Sequence, residues 1–266
     1  MNVFNLSFGK DSMATLLLAI EQGIPIDHVM YCDIRFSDEI SGEHPLMAAW
    51  IPEAERILKE KFGITVEHAF SETYLEAFYT VKKTGPFLGH IYGFPYIRGA
   101  WCNRILKLNA ISKYLRQFNE QTITQFVGIA YDEPKRWERM KSKENSRKKY
   151  CSILVEQKLT EQDAFNICER YGLLSPIYKS DDGIYRGGCW FCPKQSNTGL
   201  YSLWKNYPDY FQKLIDIEND RKIITKFKPD GNPSDYAKRF ENGYIPKRRK
   251  KREVYKQITI EDMQKW

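Results

Sequence analysis

Two clusters in this 266-residue sequence combine residue types and spacing that can do chemistry. Ser7-Phe8-Gly9-Lys10-Asp11-Ser12 sets hydroxyls, a glycine, an amine and a carboxylate between an apolar run and the amphipathic stretch Met13 to Ile20. A strand that turns tightly into a helix aims backbone N–H groups and the positive end of the helix dipole at one point, which favours a bound phosphate or sulfate. Ser7, Gly9 and Ser12 supply hydroxyls and open backbone. Lys10 offers charge to neutralise a phosphate, and Asp11 a carboxylate to hold the loop or a magnesium ion. The spacing is too short for a Gly-x-x-x-x-Gly-Lys-Ser/Thr loop and is not that of a Gly-x-Gly-x-x-Gly loop.

The second cluster is Cys189-Trp190-Phe191-Cys192-Pro193, two thiolates within reach of one metal on a turn relaxed by Gly187-Gly188. Cys102, near the start of a helical run, offers a third, with the helix dipole expected to stabilise its thiolate. Three cysteines and an open position suit a four-iron, four-sulfur cluster; four-coordinate zinc would need another ligand, such as Cys151 or a histidine. Cys32 and Cys168 read as small buried hydrophobes. His28, His44, His68 and His90 show no ligand spacing and read as ordinary strand, helix or loop residues.

Alternating strands and helices must position these groups. Strands are expected at Val3 to Leu6, His28 to Asp33, Ile64 to Phe70 and Thr122 to Ile129. Helices are expected at Lys10 to Gln22, Pro45 to Phe62, Ala100 to Phe118 and Thr160 to Tyr171, the last opened by Thr160 with Asp163 three residues on. That pattern predicts an α/β fold with a parallel sheet covered by helices on both faces. Ligands bind such sheets at the carboxyl ends of the strands, so residues after Leu6, Asp33 and Ile129 should share one mouth, with Asp33 placed to read a base or ribose. Beyond Leu173 the alternation stops. A division follows into a nucleotide-binding unit, 1–172, and a small helical, cysteine-anchored cap, 173–266, whose Pro/Gly/Lys-rich stretch from about Lys226 reads as a basic tail. The aromatic stretch Leu200 to Ile217, with Tyr201, Trp204, Tyr207, Tyr210 and Phe211, has the spacing of a packed helix face rather than a base-stacking platform.

Hydrophobic residues make up 42% of the chain and aromatics 14%, which argues against wholesale disorder. No run reaches the roughly 18 to 20 apolar residues of a membrane span, and the start lacks the pattern of a signal peptide, so a cytoplasmic protein without membrane attachment is expected. The net charge is +7. Its excess gathers in Lys141 to Lys149 and Lys247 to Arg252, which read first as a solvated loop and a basic tail and second as contacts for nucleic acid.

The first cluster resembles the PP-loop, Ser-Gly-Gly-x-Asp-Ser, of the adenine nucleotide alpha-hydrolase superfamily, departing once, with Phe8 at the first glycine. A side chain there restricts φ where glycine would not. Taken with other segments, the sequence resembles the phosphoadenosine phosphosulfate (PAPS) reductase family of that superfamily over most of residues 2 to 197. Those segments are Trp101-Cys102 to Lys107, Gly128-Ile129-Ala130-Tyr131-Asp132-Glu133-Pro134-Lys135-Arg136, and Leu173 to Tyr178 ahead of Gly-Cys-Trp-Phe-Cys-Pro. The middle one is similar to the family's Gly-Ile-Arg-x-x-Glu-Ser-x-Arg. Ala130 and Pro134 replace its first arginine and its serine, so the resemblance puts anion contact on Lys135, Arg136 and Arg139 and counts Gly128 and Glu133 among nucleotide-binding residues. It implies a HUP-type fold.

Reductases of that family carry a C-terminal Glu-Cys-Gly-Leu-His segment, whereas here the last cysteine is Cys192 and the end reads Glu261 to Trp266. The resemblance is closer to members with one Cys plus Cys-x-x-Cys, among them the DNA phosphorothioation enzymes, and at superfamily level to tRNA thiolases. It implies ATP-pyrophosphatase and sulfurtransferase chemistry: ATP with Mg2+ on the loop, a target oxygen adenylated, pyrophosphate released, and sulfur from a donor protein displacing AMP. Lys10, Asp11 and Ser12 would act in catalysis, and Cys102, Cys189 and Cys192 would hold a [4Fe-4S] cluster. Two alternatives stand beside it: a reductase acting on PAPS or adenylyl sulfate (APS), and a non-catalytic module holding zinc and nucleic acid.

Overall fold

The computed structural model describes residues 1–96, 99–118, 122–180, 187–220 and 223–247. Arg248 to Arg252 of the second basic cluster, and the end Glu261 to Trp266, lie outside the described residues.

Five short strands form one all-parallel sheet: β1 Asn2–Leu6, β2 His28–Cys32, β3 Val66–Ala69, β4 Ile123–Val127 and β5 Lys148–Cys151, in the order β3-β2-β1-β4-β5. Alternation along the strands divides their side chains between two faces. Phe4, Leu6, Val29, Tyr31 and Phe126 pack into one core, and Val3, Met30 and Ile123 into another. Helices α1 Lys10–Glu21, α2 Pro45–Phe62 and α7 Glu161–Arg170 contribute to the first core. The second is covered by α4 Asn109–Leu115. The expected α/β architecture, a parallel sheet flanked by helices, is the one observed.

Local chemistry fixes the element ends. Helix α2 opens on Pro45, whose missing N–H costs nothing at a helix start, and closes on Gly63 at φ 68°, a left-handed cap that glycine takes without strain. Thr160 and Asp163 form the expected reciprocal capping box at the head of α7. The other α-helices among the described residues are α3 Tyr74–Tyr79, α5 Pro134–Lys141, α6 Ile153–Glu156, α8 Asn197–Asn206, α9 Pro208–Glu218 and α10 Pro233–Glu241.

Four expectations need correction. The helix over Ala100 to Phe118 is not uniform: Asn103–Leu108 is wound in wider π-type turns ahead of α4, and Arg116–Phe118 tightens to a 3₁₀ turn. The stretch Leu200 to Ile217 is two helices, because Pro208 cannot donate the backbone hydrogen bond that would continue α8. Lys148 and Lys149, read as solvated loop, lie in β5, an edge strand where lysines discourage pairing with another chain. The segment after Lys226, read as a tail, contains α10.

A large aromatic core joins residues remote in sequence, among them Phe36, Tyr74, Trp101, Trp190, Phe211 and Phe240. Tyr201, Trp204, Tyr207 and Tyr210 pack against it, as a helix face would. Among the described residues, no helix is long and apolar enough to cross a membrane.

Candidate active site and cysteine cavity

The loop between β1 and α1 leaves the sheet where the strand order reverses between β1 and β4, the crevice at which open α/β sheets take ligands. Its polar atoms bond chiefly to one another. The Ser12 hydroxyl lies 3.0 Å from Ser7 Oγ, accepts the Ser7 N–H at 3.1 Å and reaches the Gly9 carbonyl at 3.0 Å. Phe8 holds φ 53°, the left-handed conformation for which glycine is usually chosen. Its ring is fully buried and meets Tyr31 edge-on, 5.1 Å between centroids. Packing thus keeps a backbone shape that the side chain disfavours.

Gly128 sits where β4 meets the head of α1. A Cβ there would stand 2.3 Å from the Ser12 nitrogen and 2.6 Å from the Asp11 carbonyl carbon. Only glycine lets the two backbones approach so closely, which gives Gly128 a positioning role in setting the loop.

Lys10 is only 4% exposed, and its ammonium bridges Asp11 at 2.7 Å and Glu161 at 3.1 Å. Burial raises the Asp11 carboxyl above its ordinary value although Lys10 pulls it down, and Glu161 and Glu133 push it further up. The Tyr178 hydroxyl accepts the Lys10 N–H at 3.1 Å, and the Cys168 thiol donates to the Lys10 carbonyl at 3.1 Å. Cys168 is buried, as expected, yet it touches the loop.

Around the mouth, Glu133 stands just before α5 and pairs with Arg136 at 2.7 Å. Lys135, Arg136 and Arg139 are exposed. The neighbouring Asp132 accepts the Glu161 N–H and so ties α7 to the end of β4. Asp33 directly follows β2, with its carboxylate on Arg35 Nε at 2.8 Å.

Cys102, Cys189 and Cys192 line one cavity of about 190 Å³ with Phe191, Lys107 and Lys194. That is more than ten times the roughly 10–15 Å³ that one water needs. Among the described residues, no three His, Cys, Asp or Glu side chains converge as a single-ion site. Cys151 lies elsewhere, its thiol on Glu156 at 3.2 Å, and no histidine lines the cavity. The expected dipole effect on Cys102 is outweighed: burial pushes its thiol up and Cys192 adds to that, while the Asn103 N–H pulls down. Burial likewise raises Cys189 well above the usual thiol range. For Lys107 burial works downward, but Cys189, Glu43, Cys32 and Cys192 together hold it above the ordinary lysine value.

The donor chemistry suits a thiophilic group, and a ring packed on the cavity residue Phe191 carries an unsatisfied polar atom. The Tyr74 hydroxyl is buried without a hydrogen-bond partner among the described residues, in a side chain 0% exposed. Burial pushes its phenol up, and Cys102, Cys192 and Cys189 push in the same direction.

Sequence reading missed Glu161, Tyr178, Tyr74 and Glu43. Burial raises the Glu43 carboxyl; it lies 3.5 Å from the Tyr31 hydroxyl and backbone-bridges Cys189. Phe8, Tyr31, Glu43 and Cys189 therefore link loop and cavity by successive contacts. One available signal was charge: no acidic residue occurs between Glu76 and Glu120, the interval that holds Cys102 and Lys107.

No family model and no solved structure matches the chain. It is 24% identical over 303 residues to a protein of Escherichia phage 186 described as an uncharacterized 37.8 kDa protein in the gpa 5′ region, covering 98% of this chain and 85% of that one. It is also 24% identical over 221 residues to an uncharacterized protein of Methanocaldococcus jannaschii, covering 79% of this chain and 40% of the relative. The chain thus spans less than half the length of the archaeal protein. Neither description states an activity.

Proposed function

We propose that this chain binds an adenine nucleotide at the β1–α1 loop and works as an ATP-pyrophosphatase and sulfurtransferase type of enzyme, with a [4Fe-4S] cluster on Cys102, Cys189 and Cys192. The observation that carries the reading is the loop at the β1/β4 reversal, locked by Ser7 and Ser12 and pressed against Gly128. A substrate oxygen would attack the α-phosphorus and the bond to the bridging oxygen would break, releasing pyrophosphate. Lys10, a buried cation paired with Asp11 and Glu161, would exchange those partners for the departing charge, and Mg2+ near Asp11 would add to it.

Three thiols line one cavity with no fourth cysteine or histidine among the residues lining it, a donor set that suits a polynuclear group with an open position better than four-coordinate zinc. The exposed cations Lys135, Arg136, Arg139 and Lys149 support a polyanionic acceptor such as nucleic acid, with a sulfur-donor protein completing the reaction.

Anaerobic purification with iron, sulfide and zinc analysis, followed by calorimetry with ATP, APS and PAPS, tests the reading. The expected result is iron and sulfide in the protein, tightest binding of ATP, and AMP plus pyrophosphate formed in the presence of acceptor. Preference for the sulfonucleotides would favour reductase chemistry; one zinc per chain with no nucleotide affinity would leave a binding module. Cys189→Ser is expected to abolish metal uptake, and unchanged metal content in that variant would reject the assigned ligands.

A further inference from the structure

Tyr74 occupies an unusual place. It is the first residue of α3, pinned there by the Thr73–Glu76 capping box and by its own N–H on the Arg35 carbonyl at 2.8 Å. Its ring lies 4.1 Å from that of Phe191, between the two cysteines of Cys-x-x-Cys, and 5.4 Å from that of Trp101, the neighbour of Cys102. The ring is thus wedged between the two chain segments that supply the thiols. No rotation of so enclosed a side chain takes its hydroxyl to water.

A buried hydroxyl without a partner costs roughly 1–3 kcal/mol, and phenylalanine would pack the same space without that cost. The hydroxyl fits an acceptor that arrives with a guest. A protonated thiol is a poor acceptor, whereas a metal-bound thiolate or an inorganic sulfide carries negative charge and accepts well.

We infer that Tyr74 is a positioning residue that donates a hydrogen bond to a sulfur of the metal group held by Cys102, Cys189 and Cys192. The inference rests on the proposed cysteine site. It goes further by assigning an outer residue, a direction of proton donation and a physical effect. Outer-shell donors orient the ligands, and hydrogen bonds to sulfur stabilise the more negative, reduced state of an iron–sulfur group.

The test is the sign of one substitution in two states. Parent and Tyr74→Phe are unfolded in urea, first metal-free and then after anaerobic loading with ferrous iron and sulfide or with zinc. Without metal the variant is expected to match or exceed the parent's midpoint, because its unsatisfied hydroxyl is gone. With metal it is expected to fall below the parent and to release metal to a chelator about ten- to a hundredfold more readily. In the iron-loaded form its reduction potential is expected to be the lower of the two, a tenfold change in the one-electron equilibrium being about 59 mV. Equal shifts in both states with unchanged chelator competition would overturn the role of Tyr74 and leave the cysteine site standing. A parent that takes up neither metal would overturn both.

Discussion

The loop at the head of α1 and the cavity around Cys102 are both assembled from distant parts of the chain, yet they meet their internal demands in opposite ways. At the loop, Ser7, Ser12, the Gly9 carbonyl, Lys10 and Tyr178 bond within the protein, so an incoming anion has to exchange one set of partners for another. At the cavity, burial raises the Cys102 and Cys189 thiols and Tyr74 has no acceptor among the described residues. The first region is complete without a guest. The second leaves the Tyr74 hydroxyl unsatisfied among the described residues, a demand that the proposed thiophilic guest would meet.

The harshest way to break this contrast is Gly128→Val. The new side chain would collide with backbone rather than with a flexible tip, so unfolding stability should drop by about 3 kcal/mol or more and phosphate-directed binding should vanish. A variant near parental stability would show that the loop does not depend on the close approach of β4.

A paired measurement sharpens it. Ser12→Ala strips partners from the Ser7 N–H and the Gly9 carbonyl and should cost about 2 kcal/mol in metal-free protein. Cys102→Ser under the same conditions should cost under about 1 kcal/mol, since no strong bond is lost there. Similar costs in denaturant titrations of the two variants would erase the distinction.

Smaller still is an effect of pH. Burial raises Asp11 from its ordinary value of 3.8, so the folded chain holds that proton more tightly than the unfolded one. Stability from this group is therefore fullest below that ordinary value and is lost as pH climbs through the raised one, opposite to a carboxylate lowered by its ion pair. Asp11→Asn should flatten the decline above about pH 4 in midpoints taken across the acid range. A parental slope in the variant would mean that another group, such as Glu43, sets it. Smallest is Arg136→Ala, which removes an exposed pair with Glu133 and should change stability by no more than about 1 kcal/mol. A larger loss in the same titrations would show that the rim supports the loop.

The sequence disclosed what depends on local pattern. The apolar run of β1, the Gly63 cap and the Thr160–Asp163 box are each signalled within a few residues. The loop and the Cys189–Cys192 pair were legible for the same reason, whereas Cys102 joins that pair from a remote segment. β5 was hidden because Lys148-Lys149-Tyr150-Cys151 has no apolar run; its place beside β4 at the sheet edge makes it a strand. Helix α10 was legible but overlooked, since Asn232, Pro233 and Asp235 carry a helix-start signature. Glu161 and Tyr178 reach Lys10 from more than a hundred residues away, and no short window predicts such meetings. Phe8 looked like an obstacle to the loop; the left-handed turn it adopts depends on packing against Tyr31, which only three dimensions reveal.

The aromatic core has a consequence for the order in which the molecule can be built. Every strand of the sheet has been made once residue 151 leaves the ribosome, and α7 once residue 170 has. Phe36, Tyr74 and Trp101 are synthesised early but await Trp190 and Phe191 before they can pack. Cys102 waits with them for its companion thiols. On the proposed cysteine site, metal loading would belong to the last stage of synthesis, and a chain released before residue 192 would carry a finished sheet beside an exposed aromatic surface, a natural target for chaperones and proteases.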